Sequence, residues 1–265
     1  MTIGDAIIDR YQYCTPLNKA AKEYLIPVRL DGQDSYNGGV LAVASQVRAF
    51  ANCELWHPAE ITTKTRFVDR IYGVHVRKLF ETHELEPLEY ADMPDPSAYN
   101  VLMVSDFGIG DYSKVRGKFT AVCAQMNSTN YGYPSLRNYA GVNLVVMNEL
   151  EARMATQDRS SPVEELARRL AAMYHFGVVV ITEGHKGALG YDVKRNEFSH
   201  QPGLGGRVVD TMGAGDCLFA WLAPLLAAGS PLGLALKVGS LAAGLKCGYV
   251  GQRVITEAEV LAALV

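Results

Sequence analysis

Four short apolar runs, each bounded by Gly, Asn or Ser, punctuate the chain: Val101 to Val104, Phe119 to Ala124, Val142 to Met147 and Val178 to Ile181. Runs of this length without polar interruption predict strands buried on both faces. Helical periodicity lies between and after them. In Pro162 to Tyr174, Val163, Leu166, Leu170 and Met173 form one stripe, and Ala214 to Ala228 and Leu232 to Leu245 are apolar and long enough for helices. Alternating strand and helix predicts an α/β fold, a parallel sheet covered by helices. Two segments depart from this rhythm. Residues Tyr11 to Tyr36 and Thr62 to about Leu88 alternate polar with apolar positions (Thr65, Arg66, Phe67, Val68, Asp69, Arg70, Ile71), which predicts half-exposed antiparallel strands in a small separate sheet. With no internal repeat, low-complexity tract or Ser/Gly linker, the pattern predicts a single domain over 1–265 carrying an insertion.

The 265 residues are 49% hydrophobic and 20% charged, which excludes disordered and collagen-like chains. A net charge of -3 with interspersed signs leaves no nucleic-acid track and no polybasic membrane patch, so an anionic ligand has to be held locally. No apolar run approaches the roughly 18 to 20 residues of a membrane span, and Met1 to Arg10 lacks a basic flank leading into an apolar h-region; a cytoplasmic location is expected. The cysteines (Cys14, Cys53, Cys123, Cys217, Cys247) form no Cys-x-x-Cys pair and read as buried free thiols. His83-Glu84 and His185-Lys186 do not have the spacing of a zinc hydrolase.

Chemistry concentrates in Val208-Val209-Asp210-Thr211-Met212-Gly213-Ala214-Gly215-Asp216, which runs straight into the apolar stretch Cys217 to Ala228. A strand end, a glycine pair and a helix start together offer backbone N–H groups to a phosphate or a developing negative charge. Asp216 has two readings there. It is a helix-start residue favoured by the dipole, or it is a carboxylate beside an anion hole, placed to take a proton from an alcohol as a phosphoryl group arrives. Asn148-Glu151 after the run Val142 to Met147 is equally double-edged: a capping box, or oxygen ligands for a hard cation. The glycines of Ile181 to Ala188 read either as a plain hairpin or as a ligand loop.

Asp-Thr-x-Gly-Ala-Gly-Asp followed by an Ala-rich helix resembles the signature of the ribokinase-like (PfkB) carbohydrate kinases, with Met212 at a position usually held by a small residue. The resemblance implies a ribokinase-like three-layer α/β/α fold with a mostly parallel central sheet and a small β lid, the lid segments being about 11–36 and 62–88. It further implies an ATP-dependent phosphotransferase acting on a sugar or sugar phosphate. Asp216 would be the catalytic base, with Gly213, Ala214 and Gly215 as the anion hole. Asn148 and Glu151 would order Mg²⁺ and its waters, and Thr182 and Gly184 would lie near the ATP phosphates or ribose. Ser240 and Gly244 would border the adenine. Substrate contacts would be Asp5, Asp9 and the Asn37-Gly38-Gly39 turn, since carboxylates accept paired hydroxyl hydrogen bonds. The resemblance leaves a monovalent cation open, and suggests a homodimer paired through the lid.

Gly4 to Tyr13, Thr62 to Phe67 and Val104 to Gly110 resemble one branch in particular, the kinases of D-glycero-D-manno-heptose 7-phosphate. Three departures separate the chain from that branch. Ala42 stands where Asn usually follows the diglycine, Gln125-Met126-Asn127-Ser128 replaces an Asp-Pro-Lys run, and Val47 to Thr62 leaves room for one short turn or strand, so a reduced sheet and an altered acceptor are expected. Rival classes are weaker. Gly108-Ile109-Gly110 lacks the third glycine of a dinucleotide fingerprint, and no Gly-x-x-x-x-Gly-Lys-Ser/Thr is present. A non-catalytic nucleotide- or sugar-binding relative or partner subunit is the remaining alternative, and Asp216 argues against it, because a protein without turnover needs no base.

Overall fold

The computed structural model describes residues 1–17, 27–70, 75–81, 92–125, 136–204 and 206–264. In chain order the elements are β1 (Thr2–Gly4), β2 (Ala6–Pro16), β3 (Val28–Gly39), α1 (Val40–Val47), β4 (Leu55–Trp56), β5 (Thr62–Asp69), β6 (His75–Glu81), β7 (Leu102–Asp106), β8 (Thr120–Ala124), β9 (Leu144–Asn148), α2 (Glu149–Thr156), α3 (Val163–Tyr174), β10 (Val178–Thr182), β11 (Gly187–Asp192), β12 (Glu197–Pro202), α4 (Ala214–Ala227), α5 (Leu232–Cys247) and α6 (Glu257–Leu264). The eight-stranded main sheet has the order β12-β11-β10-β9-β8-β7-β1-β4. Strands β4, β1, β7, β8, β9 and β10 run parallel, and β11 and β12 add an antiparallel edge.

The unbroken apolar runs form the sheet's centre because each face of it is covered. Leu102, Val104, Val122, Val145 and Ile181 point into one core with Leu166 and Leu170 of α3. Their neighbours Met103, Ala121, Val146 and Val180 point into the other, with Phe219 and Leu222 of α4 and Leu236 of α5. This is the three-layer arrangement expected. The two-residue β4 is all that forms a strand between Val47 and Thr62.

The second sheet has the order β3-β2-β5-β6. It corrects two expectations. Only the outer pairs are antiparallel, whereas the central pair β2–β5 is parallel, because both strands leave the main sheet in the same direction. The small sheet also begins at Ala6, five residues before the alternation becomes visible, since Ala6 and Ile7 are buried and do not alternate. Residues 18–26, 71–74 and 82–88 of the two segments lie outside the described residues, as do Met126, Asn127 and Ser128. A single residue, Asp5, separates β1 from β2, and Val40 N–H donates to its carbonyl (3.0 Å) as the small sheet returns into α1. Among the described residues no helix is long and apolar enough to cross a membrane.

Candidate active site

Gly213, in the left-handed region at φ 73°, caps the N-terminus of α4 without any side-chain hydrogen bond. Glycine is favoured there because a Cβ would be strained at that φ; a Cβ would also displace the terminal amide of the Gln252 side chain. The next residue is partly occupied. Ala214 N–H donates to Thr211 O (3.2 Å) within the turn, whereas the N–H groups of Gly213, Gly215 and Asp216 have no hydrogen-bond partner among the described residues. Asp216 follows in the first helical turn, 6% exposed, with Oδ1 lacking a hydrogen-bond partner among the described residues. Burial, assisted by the Asp9 charge, raises its carboxyl to about 7; Lys64, Lys246 and a hydrogen bond from Gln252 pull the other way. A carboxyl with a free oxygen that ionises near neutrality is what a general base requires.

Asp9 reaches the same space from β2. It is buried and ion-paired with Arg66 of β5. The second guanidinium nitrogen of Arg66 donates to Met212 Sδ (3.2 Å), so one side chain links the small sheet to the turn before α4. Gly38 lets Asp9 approach, for a Cβ there would lie 2.7 Å from Asp9 Oδ2. Buried Gly39 leads into α1, and exposed Asn37 lines a polar cavity of about 260 Å³ together with Ser35, Ala42, Gln46 and Gln252.

Asp5 corrects the expectation of a sugar contact. Its carboxylate is 2% exposed and takes hydrogen bonds from Phe107 N (2.7 Å), Ile109 N (3.2 Å), Gly110 N (2.9 Å) and Tyr112 OH (2.6 Å). Beside it Asp106 accepts from Gly108 N (2.7 Å) and Tyr139 OH (2.5 Å), and burial raises its carboxyl to about 7. The amides of the Gly108-Ile109-Gly110 loop therefore serve two internal carboxylates rather than a dinucleotide phosphate. Asp5 is a corner brace.

On the far side of the Gly213 turn lies a cavity of about 520 Å³. Thr182, Gly184, Ser240 and Gly244 all line it, with Thr211, Ala214 and Gly215 at the end beside α4. Residues separated by more than fifty positions thus converge on one pocket of ligand size. β10 and β11 pair antiparallel, as in the hairpin reading of Ile181 to Ala188, and the turn between them forms part of the cavity wall. Along α5, Gly239 serves helix packing, a Cβ there lying 3.0 Å from Leu218 O, whereas Ser240 and Gly244 reach the cavity.

Asn148 and Glu151 form a reciprocal cap on α2. Asn148 Oδ1 accepts from Glu151 N and Glu151 Oε2 accepts from Asn148 N, each at 2.8 Å. Asn148 sits beside Thr182 in register at the strand ends, and Glu151, Asp216 and Asp106 all press on the Cys123 thiol, which burial drives up first. The described residues hold no group of three or more His, Cys, Asp or Glu suited to a metal. The oxygen donors present fit a hard ion carried mainly by nucleotide phosphates and its own waters, not one caged by protein.

Three residues escaped sequence reasoning. Asp210 accepts from Met212 N (2.9 Å), Gly251 N (2.9 Å) and Tyr11 OH (2.8 Å), and these bonds overcome its burial to hold the carboxyl below the usual range. Gln252 lies against Gly213 and Asp216. Lys246, wholly buried, donates to the carbonyls of Asp210 (3.1 Å) and Met212. Asp210 stands in the quoted signature with no role read from it, and Lys246 is one of two lysines in α5, with nothing local to set it apart from the exposed Lys237.

The pattern described as "pfkB family carbohydrate kinase" matches residues 119–258, just over half of the chain. Among curated proteins, Bifunctional protein HldE of Shewanella baltica (strain OS155) is 24% identical over 306 residues, covering 100% of this chain and 63% of that protein. HldE of Halorhodospira halophila is 26% identical over 304 residues, covering 98% and 62%. The chain thus spans less than two thirds of the length of these relatives. Its fold matches a putative ribokinase from Agrobacterium tumefaciens (TM-score 0.78, 17% identity, 99% and 96% coverage) and ribokinase from Thermotoga maritima (TM-score 0.73, 17% identity, 99% and 98% coverage). Fold, glycine turn and family pattern converge, and the chain belongs to the pfkB family of carbohydrate kinases.

Proposed function

We propose that this chain transfers the terminal phosphoryl group of ATP to a hydroxyl of a sugar or sugar phosphate, with Asp216 as general base. The observation that carries the reading is the buried Asp216 carboxylate, with one oxygen unpartnered, standing between the cavity lined by Thr182, Gly184, Ser240 and Gly244 and the small-sheet residue Asp9. ATP occupies the cavity, at the carboxyl ends of the parallel strands where open α/β sheets take ligands. The acceptor lies between Asp9, the Asn37-Gly38-Gly39 turn and Asp216, under the small sheet acting as a lid that excludes water. Asp216 Oδ1 takes the hydroxyl proton, and the N–H groups of Gly213, Gly215 and Asp216 receive the negative charge of the phosphoryl group in transit. Mg²⁺, when bound, neutralises phosphate charge, and Asn148 and Glu151 would hold its water shell.

The resemblance of Gly4 to Tyr13 to the heptose branch, together with the likeness to HldE, makes D-glycero-D-manno-heptose 7-phosphate the first acceptor to try. ADP release from Mg-ATP across a panel of free and phosphorylated sugars, with Asp216→Asn in parallel, tests the assignment. Acceptor-dependent turnover that falls about 10² to 10⁴-fold in the variant is expected. Undiminished turnover in the variant would remove Asp216 from the mechanism, and ATP binding without turnover on any acceptor would replace the kinase by a binding protein.

A further inference from the structure

Lys246 is the one charged side chain at 0% exposure among the described residues, and the transfer reaction as derived above does not use it. It sits in the last turn of α5, where the helix dipole favours a cation. Its ammonium donates to two main-chain carbonyls, those of Asp210 and Met212, across a separation of 36 and 34 residues. Both carbonyls belong to the turn that opens α4. The same turn hangs from the end of α5 by Val209 N–H and Asp210 N–H, which donate to Cys247 O (2.8 and 3.1 Å).

The consequence follows from peptide geometry. In a planar trans peptide the C=O and the following N–H point in opposite directions. Holding Met212 C=O against Lys246 therefore turns the Gly213 N–H away from α5, and holding Asp210 C=O does the same for Thr211 N–H. The chain contains no cis peptide among the described residues that would invert this relation. An ammonium is also a full positive charge behind the anion-binding face, and it acts on Asp216 in the direction that favours the carboxylate.

We propose that Lys246 is a positioning residue for phosphoryl transfer: its buried ammonium clamps the carbonyls of Asp210 and Met212 so that the amides of the Gly213 turn face the transferring group. The inference deepens the function proposed above and rests on it for its kinetic readout. A neutral side chain of similar shape leaves the two carbonyls without a donor and releases the turn. Because carbonyl oxygens accept small cations as readily as an ammonium group, a truncated side chain leaves a place that methylammonium, ammonium or K⁺ can fill.

The test uses Lys246→Met, Lys246→Ala and the parent protein, each checked for folding by circular dichroism and a melting curve. The expected result is a fall in kcat of about 10²-fold in both variants, the scale of a misplaced catalytic group, with KM for ATP changed much less. In Lys246→Ala, added methylammonium or K⁺ restores kcat in a saturable way while leaving the parent unchanged. Either kcat near the parent value in a folded variant, or a loss that no cation restores, overturns the proposal. Hydrogen exchange without ligand separates this inference from the proposed function. If the parent turns over no acceptor, the kinase reading fails, yet faster exchange at the hydrogen-bonded amides of Met212 and Ala214 in Lys246→Met upholds the clamp, and unchanged exchange there refutes it.

Discussion

Replacing Asp216 by Asn should make the protein more stable while it disables the chemistry, and the size of the gain should depend on pH in a defined way. Burial raises the Asp216 carboxyl from 3.8 to about 7, a shift of about 3 pH units, or up to about 4 kcal/mol between the protonated and ionised folded forms. The folded protein therefore binds more protons than the unfolded chain between those two values, so stability falls as pH rises through that window. Asparagine carries no charge to bury. Its advantage over aspartate should be near zero around pH 4, grow through the window, and level off above pH 7 at up to about 4 kcal/mol, on the order of 10 °C in Tm for a chain of this size. Urea or thermal unfolding of both proteins near pH 4.5, 6 and 8, alongside ADP release, reads both effects. Asp106, also raised to about 7, is present in both proteins and cancels in the difference. An Asn variant no more stable than the parent near pH 8, or a gain equal at every pH, would refute the burial argument whatever happened to the rate.

The pH profile of kcat/KM in the parent should rise with an inflection near 7, because only the ionised Asp216 accepts a proton; a flat profile between pH 5.5 and 8 contradicts this. Gly213→Ala should lose about 1–3 kcal/mol from its left-handed φ of 73° and its collision with Gln252, and the added change Gln252→Ala should recover part of the loss in a denaturation double-mutant cycle. Asp210 is held below 3.8 by Met212, Gly251 and Tyr11 despite its burial, so it contributes stability above that value which is lost as pH falls through the folded pKa. Asp210→Asn should accordingly be less stable than the parent at neutral pH, with the gap closing in denaturation curves as pH falls from 3.8 through the folded pKa.

The main sheet was legible because its strands are buried on both faces, and an uninterrupted run such as Val142 to Met147 has few other homes in a soluble chain. The antiparallel edge was harder to see. Strand β12, with the sequence Glu-Phe-Ser-His-Gln-Pro, is half exposed and carries no apolar run. The turn before α4 announced itself through local glycine spacing, and Thr182, Gly184, Ser240 and Gly244 meet beside it in one cavity. Asp5 misled for a physical reason. A carboxylate that braces a corner and one that greets a substrate look alike in sequence, and only the amides of Phe107 to Gly110, a hundred residues away, tell them apart. Lys246 and Gln252 act across the tertiary structure, so no window of the chain contains both them and what they touch.

The bond from Tyr11 OH to Asp210 joins residues 199 apart, and Gln46 grips the backbone at Arg253 and Ile255 over separations of 207 and 209. During synthesis the N-terminal part emerges first. Strand β2 and helix α1 must then wait, with buried polar groups unpaired, until nearly the whole chain has left the ribosome. The turn at Asp210 and the cavity lined by Ser240 and Gly244 also draw on the C-terminal third of the chain, so neither is completed before that third has been made.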